Sequence, residues 1–349
     1  MSVQPKDFGI SLKGDAAKLY TLANGNCTAV VSDYGATLVS FSIQKDAETI
    51  DILLGFNSPA EYVQKGGHHG ATIGRSANRI GGPSFCLNGK EYVLADNDSG
   101  RNLHSGPDLW DIRLWETDGV SKEGDPSITF RLFSPDGDQG YPGNMHMAVT
   151  YTLSEDGSLS IRYQADTDAD TLCNPTNHSY FNLNGEGSGD ILDHELTVYA
   201  DSITPINDNF VPYGVLMPVE GTPFDFRTAK PVGRDIDSDH EQIVIGGGYD
   251  HNFALAPGRH TLSKAVELYS PQTGLLLEVS TDLPGIQVYS GNFLKGAVGK
   301  SGKPYNKRFG IALETQYYPN SINVENYASP ILKAGETFTS ETIYRLSVR

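Results

Sequence analysis

The feature that most constrains the fold is a period of two in the apolar residues, with almost no helical periodicity anywhere in the chain. Apolar side chains occupy alternate positions over residues 145–153, and the alternation resumes over residues 159–165, after the turn Glu155-Asp156-Gly157. Because successive side chains of a strand point to opposite faces, these two runs predict an antiparallel hairpin with one buried face. Residues 265–269 and 275–280, which flank Thr273-Gly274, predict a second hairpin.

Other strands are predicted over residues 28–43, 128–133, 194–200, 285–292, 310–317 and 337–348. One short helix is predicted over residues 59–64, with Ser58 as its cap. The 38 glycines and 19 prolines are typical of a chain with many turns. Many strands without alternating helices predict an all-β fold, a large antiparallel β-sandwich with very little helix. No linker, charge block or repeat divides the sequence, so residues 1–349 are predicted to form a single domain.

The charge and the cysteines limit the possible partners and the expected location. A formal net charge of −17 repels phosphate backbones and anionic lipid surfaces, so neither nucleic acid nor membrane is an expected partner. The first ten residues lack the basic start and apolar run of a signal peptide. Cys27, Cys86 and Cys173 are odd in number and far apart, which is typical of reduced cysteines. The protein is therefore expected in the cytoplasm.

Residues 172–183, LCNPTNHSYFNL, place one histidine among hydrogen-bonding and aromatic side chains. In a continuous strand, one face would carry Thr176, His178, Tyr180 and Asn182. Such a face suits a small, uncharged molecule rich in hydroxyls. A core histidine with its hydrogen bonds satisfied is the other interpretation of this segment alone.

A second polar face is predicted around Glu314. In a strand over residues 310–317, Glu314 and Gln316 share a face with the small residues Gly310 and Ala312, which leaves space for a ligand. The strand over residues 286–292 places Gln287 on a similar face. If the two strands are neighbours, Gln287 and Glu314 lie on one polar, concave surface.

Five segments occur in an order that resembles one known family: GRSANRI (residues 74–80), NLHSG (102–106), TNHSYFNL (176–183), GYDHNF (248–253) and ALETQYYPNSIN (312–323). Over roughly residues 20–345 the chain resembles the aldose 1-epimerases, also called galactose mutarotases. The resemblance implies a large β-sandwich that interconverts the α and β anomers of free aldohexoses such as galactose and glucose. It implies ring opening, C1–C2 rotation and reclosure, with no cofactor and no metal. The expected partner is a monosaccharide, and the expected state is a monomer or weak homodimer.

The resemblance also implies roles for individual residues. Glu314 matches the general base, His178 the general acid, and His104 a second histidine that supports catalysis. Ring opening requires a base at the anomeric hydroxyl and an acid at the ring oxygen, so near neutral pH Glu314 is expected to be ionised and His178 protonated. The candidate substrate-binding residues are Asn78, Arg79, Asp250, Gln287, Ser179 and Tyr180.

The loop after His104 departs from the family pattern, in which two glycines follow the Leu-His pair. Here Ser105 replaces the first glycine, and Pro107 and Trp110 replace flexible positions. Because the loop borders His104, sugar specificity is expected to differ from that of a galactose-preferring enzyme. Trp110 is interpreted either as a sugar-stacking or as a packing residue.

Other interpretations stay open. His68 and His69 are predicted to be surface or supporting residues, and His251 a packing residue. A noncatalytic carbohydrate-binding protein is one alternative function. A hexose-phosphate 1-epimerase is another, and it would need basic groups from the cluster Lys295, Lys300, Lys303, Lys307 and Arg308. The last is a metal-dependent enzyme whose ligands are His104, His178 and either Glu314 or Asp250.

Overall fold

The computed structural model describes residues 3–121, 124–255 and 261–349, and its regular structure is mostly antiparallel strands. Nine strands form the largest sheet, in the order Glu116–Val120, Ser127–Ser134, Met145–Leu153, Ser158–Thr167, Thr337–Val348, Leu275–Thr281, Ser263–Tyr269, Glu195–Val198 and Lys230–Pro231. Six strands form the second, in the order Tyr180–Phe181, Ile311–Gln316, Gly285–Tyr289, Asp250–Ala254, Ser202–Thr204 and Met217–Pro218. Five strands form the third, in the order Pro5–Ile10, Ala16–Asn24, Cys27–Ser32, Thr37–Lys45 and Glu48–Asp51.

The remaining strands form separate two-stranded sheets: Arg79–Gly81 with Arg101–Leu103, Thr171–Leu172 with Ile331–Leu332, Thr72–Ile73 with Thr176–Asn177, Ala297–Val298 with Pro304–Tyr305, and Ser84–Leu87 with Lys90–Val93. The α-helices in the described ranges are Pro59–Lys65 and Glu241–Gly246. The 3₁₀ turns there are Trp110–Ile112, Asp138–Gly140, Val232–Arg234 and Ser321–Asn323. None of the helices in these ranges has the length and apolar character that crossing a bilayer requires.

The predicted helix is present as Pro59–Lys65. The Ser58 hydroxyl accepts a hydrogen bond from the Glu61 amide at 3.3 Å, so it caps the first turn as expected. The sequence did not predict Glu241–Gly246, because its six residues are too few to display a helical period.

Packing of the nine-stranded sheet against the six-stranded sheet forms the main core. Leu313 and Ile286 of the smaller sheet belong to the same buried cluster as Val279 and Tyr344 of the larger one. The Tyr344 hydroxyl also donates a hydrogen bond to the Leu313 carbonyl at 2.9 Å, so the buried tyrosine keeps a polar partner. The prediction of an all-β sandwich with little helix is confirmed.

Both predicted hairpins are present. In the first, the pairing runs from Leu153 opposite Leu159 to Met145 opposite Thr167, and in the second Ser263–Tyr269 pairs with Leu275–Thr281. The prediction of one strand over residues 28–43 is wrong. The chain forms two strands there, because Gly35 at φ +68° and Ala36 at φ +43° reverse its direction between them.

His194 anchors residues 172–183 to the core and gives the fold a testable response to acid. Its Nε2 accepts a hydrogen bond from the Leu183 amide at 2.9 Å, and burial lowers its pKa from 6.5 to about 4. Between pH 6.5 and about pH 4, the histidine is protonated in the unfolded chain but stays neutral in the folded protein. The folded state therefore loses stability relative to the unfolded state as pH falls through this range. This loss amounts to about 2 kcal/mol of unfolding free energy at pH 5. The variant His194→Gln should not show the loss, because glutamine does not titrate, and the glutamine side-chain oxygen can still accept the hydrogen bond from the Leu183 amide.

The measurement is the difference in unfolding free energy between wild type and His194→Gln, from urea denaturation at pH 7 and pH 5. We expect this difference to shrink at the lower pH. The matched control is His146→Gln, because His146 is an exposed histidine on the strand Met145–Leu153. A difference for His194→Gln that does not change with pH would contradict the prediction.

Candidate active site

The outer face of the six-stranded sheet carries the candidate site. Antiparallel pairing sets Gln287 opposite Glu314, and Asn252 opposite Gln287. Their chain neighbours Val288 and Leu313 point into the core, so these polar side chains share the opposite face. This is the arrangement predicted from the alternation around Glu314. Other segments cover the face, and Glu314 is only 2% exposed.

A cavity of about 150 Å³ opens above this face. It brings together segments that lie far apart in the chain. Its walls are formed by His68, Asn78, Arg79, Leu103, His104, His178, Tyr180, Asp250, Tyr289, Phe293 and Glu314. All three candidate catalytic residues are among these, as are four of the six candidate substrate-binding residues.

His178 reaches the cavity from a segment that is not a continuous strand, so the shared face considered for such a strand does not form. Residues 171–181 form three two-residue strands with three different partners, because the chain bends between them. His178 and Tyr180 line the cavity, but Asn182 points elsewhere and donates to the carbonyls of Gly189 and Phe309 at 2.8 and 2.9 Å. His178 Nε2 lies 3.6 Å from Glu314 Oε2, so the two groups face each other.

His104 is fixed by two reciprocal bonds with Asn78. The backbone N–H of Asn78 donates to His104 Nδ1 at 3.1 Å, and the backbone N–H of His104 donates to the backbone carbonyl of Asn78 at 2.9 Å. Because Nδ1 accepts a hydrogen bond, the proton of the neutral His104 ring is on Nε2. His104 therefore offers an N–H donor to the cavity.

Asp250 and Arg79 form the opposite wall. Asp250 accepts a hydrogen bond from Gln287 Nε2 at 2.7 Å, and its Oδ2 lies 3.9 Å from Arg79 Nη1. Arg79 also donates from Nε to Asp98 at 3.1 Å. Gln287 therefore acts on the cavity by holding Asp250, since it is not itself part of the wall.

Two of the candidate substrate-binding residues, Gln287 and Ser179, lie outside the cavity wall, and so does Trp110. Ser179 is buried, and its hydroxyl donates to Asn177 at 2.5 Å instead of facing the cavity. Trp110 is 2% exposed and packs against Gly74 and Trp115, so of its two interpretations the packing role is the one that the structure supports.

The electrostatic environment favours the uncharged forms of the central pair. Burial raises the pKa of Glu314 well above its ordinary value, the charge of Asp250 adds to this, and Arg79 opposes it. Burial lowers the pKa of His178 well below 6.5, and the neighbouring His68 adds to this effect. His104 shifts in the same direction, again mainly because of burial. Desolvation in this site therefore works against the ionised base and protonated acid expected from the sequence.

Sequence reasoning missed part of the wall. His68, which was predicted to be a surface or supporting residue, lines the cavity, and His69 is fully buried against Tyr180, with ring centroids 4.6 Å apart. Phe293 and Tyr289 also line it. Signals existed for two of these residues: Tyr289 shares the alternation of Gln287, and the glycines around His68 mark a loop with unusual backbone angles.

Three of the side chains could also converge on an ion. His104, His178 and Glu314 each offer one ligand atom, and these atoms lie within 4.8 Å of one another. Two histidines and one carboxylate are a donor set that transition metals use in proteins. The geometry is therefore compatible with acid–base chemistry and with metal binding.

Comparison with known proteins identifies relatives over nearly the whole chain. The family model described as aldose 1-epimerase matches residues 18–345. The galactose mutarotase of Sus scrofa is 40% identical over 320 residues, which cover 91% of this chain and 90% of that protein. The aldose 1-epimerase of Escherichia coli strain K12 is 38% identical over 337 residues, 95% of this chain and 96% of that one. The crystal structure of a galactose 1-epimerase from Lactobacillus acidophilus superposes with a TM-score of 0.85, at 28% identity and 99% coverage of both chains.

Proposed function

The chain belongs to the aldose 1-epimerase family, and we propose that it interconverts the α and β anomers of free aldohexoses such as galactose and glucose. The single observation that carries this proposal is the pairing of His178 with Glu314, 3.6 Å apart in the wall of a small cavity. Two proton-transfer groups, one from the strand Ile311–Gln316 and one from the irregular segment at His178, can reach two oxygens of one sugar ring. Ring opening needs that arrangement, with Glu314 as base, His178 as acid and His104 in support.

The mechanism follows from how many protons the pair holds. In opening the ring, Glu314 removes the proton of the anomeric hydroxyl while His178 donates a proton to the ring oxygen, and the C1–O5 bond breaks. The pair thereby changes from carboxylate and imidazolium to carboxylic acid and imidazole, with the same number of protons. After rotation about C1–C2, reclosure on the other face reverses both transfers. The uncharged pair favoured by burial is thus the form that accompanies the open-chain sugar.

The remaining wall is suited to hold a polyol. Asp250 offers acceptor oxygens, Arg79 and the Nε2–H of His104 offer donors, and Tyr180 adds an aromatic surface. We propose these residues, with Asn78, as the groups that bind the sugar hydroxyls. Gln287 keeps Asp250 in place.

Polarimetry tests the proposed activity. Purified protein should accelerate mutarotation of freshly dissolved D-galactose or D-glucose. Glu314→Gln should lower the rate by about 10²- to 10⁴-fold, because an amide cannot accept the anomeric proton. The control is Glu91→Gln, which makes the same change at an exposed strand position. Wild-type protein that leaves every common aldose at its spontaneous rate would contradict the proposal.

The pair also predicts the pH dependence of catalysis. The pair can bind a second proton only if His178 becomes charged. Burial lowers the pKa of His178 well below 6.5, so this protonation occurs only at a pH well below 6.5. Corrected for spontaneous mutarotation, kcat/KM should stay level as pH falls through 6.5 and should decline only at lower pH. An acid limb centred at or above pH 6.5 would contradict the assignment.

Two alternative functions make different predictions. A noncatalytic sugar-binding protein would bind galactose without accelerating its mutarotation, yet a binder has no need of the pair. A hexose-phosphate 1-epimerase would prefer glucose 6-phosphate to galactose at equal concentration. The basic cluster gives it little support: Lys300 lies 2.7 Å from Asp51, Arg308 lies 2.6 Å from Asp237, and neither lines the cavity.

A metal-dependent reaction is a third alternative, because His104, His178 and Glu314 could share an ion. Acid–base catalysis by the pair needs none. We therefore expect protein that has been exhaustively dialysed against a chelator to keep its mutarotation rate. A rate that falls with chelation and returns on adding Zn²⁺ would favour the metal-dependent mechanism.

A further inference from the structure

His68 forms part of the cavity wall, where it lies beside two other histidine rings and has a left-handed backbone conformation. Its ring centroid lies 4.9 Å from that of His104 and 5.7 Å from that of His178. Its backbone adopts φ +56°, a left-handed conformation that favours glycine, although the residue carries a full imidazole. Residues held in such conformations cluster at functional sites, where the surrounding structure stabilises them.

Asp111 holds the His68 ring from behind. His68 Nδ1 lies 2.6 Å from Asp111 Oδ2, and the aspartate side chain is only 9% exposed. The short distance to a carboxylate means that Nδ1 carries the proton and donates it. In the neutral ring, Nε2 is therefore an acceptor.

The carboxylate is itself held by the core. Asp111 lies in the single turn Trp110–Ile112, and the Trp110 ring fills the space beside Gly74, where an added Cβ would be 2.2 Å from it. Trp115 Nε1 also donates to the Trp110 carbonyl at 3.2 Å. The buried tryptophan thus fixes the position of Asp111, and Asp111 fixes His68.

His68 and His104 are complementary as a pair. His68 offers an acceptor, since its Nδ1 is bound to Asp111, whereas His104 offers a donor, since its Nδ1 accepts from the Asn78 amide. A hydroxyl group both donates and accepts, so a single hydroxyl can bind between two adjacent rings of this kind. A methylene in its place would leave both ring nitrogens without a partner.

We propose that His68, oriented by Asp111, accepts a hydrogen bond from one hydroxyl of the bound aldose and so determines which sugars the site accepts. This inference rests on the proposed function, because it takes a free aldose as the ligand. If the proposal is right, the loss of affinity on removing one particular sugar hydroxyl depends on the presence of the His68 side chain.

The test is a cycle of protein variants and sugar variants. Calorimetry would measure the dissociation constants of galactose and of its monodeoxy analogues, one for each hydroxyl other than the anomeric one. Wild-type protein should bind one analogue about 3- to 10-fold more weakly than galactose through loss of this bond. In His68→Phe that particular penalty should disappear, while the penalties for the other analogues remain.

Two further variants keep the result interpretable. Asp111→Asn preserves size but removes the anionic acceptor, so it should shrink the same penalty even if His68→Phe folds poorly. His146→Phe makes the matched change at an exposed strand position and should leave every penalty as in wild type. If His68→Phe weakens all sugars equally, or leaves every penalty in place, the proposal is overturned.

Because these are binding measurements, they separate the two proposals. The expected pattern without any acceleration of mutarotation would sustain the role of His68 and overturn the proposed activity. If mutarotation is accelerated but His68→Phe changes the penalty of no single analogue, the proposed activity stands and the role of His68 is overturned. Wild-type protein that binds no aldose would overturn the role of His68.

Discussion

The register between the strands Gly285–Tyr289 and Ile311–Gln316 is the constraint on which the rest of the site depends. Leu313 and Val288 pair directly across it, and so do Glu314 and Gln287. A slip of one residue in either strand would turn its apolar side chains toward the cavity and its polar ones into the core. Each buried aliphatic side chain contributes about 1.5–3 kcal/mol, so hydrophobic burial on one face fixes the position of the polar groups on the other.

Covering this face gives the site its electrostatic character. A strand glutamate open to water would keep an ordinary pKa, but Glu314 lies beneath the segments that carry His68, His104 and His178. The same burial acts on the histidine, with opposite sign, because it opposes charge of either kind. The two effects leave one proton to be shared by the pair. Burial therefore favours the uncharged arrangement of the pair, whereas in a site with solvent-exposed groups the ionised forms dominate.

The sequence predicted those parts of the site that follow from strand periodicity, and it missed those that depend on loops. Glu314 and Gln287 were placed on one face because alternation over six residues leaves few options. The break in residues 172–183 was not predicted, because strands of two residues carry no period. The face considered for a continuous strand therefore included Asn182, which the structure places elsewhere. His68 and Asp111 are 43 residues apart, and no local pattern indicates that a loop histidine meets a carboxylate from a single 3₁₀ turn. The single-domain assignment stays a prediction.

Loop residues can hold such a site only if something rigid supports their strained backbones. Asn78, His104 and His68 all adopt φ between +55° and +58°, and each such conformation costs on the order of 1 kcal/mol or more. Arg75, three residues before Asn78, is 1% exposed and donates hydrogen bonds to the carbonyls of Ser134, Pro135, Pro142 and Gly143. An arginine that satisfies buried carbonyls ties the start of GRSANRI to the nine-stranded sheet. Asn78 and His104 then stabilise each other through their reciprocal bonds. Hydrogen bonds to the nine-stranded sheet and between neighbouring loops thus support the left-handed backbone conformations of Asn78 and His104 at the cavity.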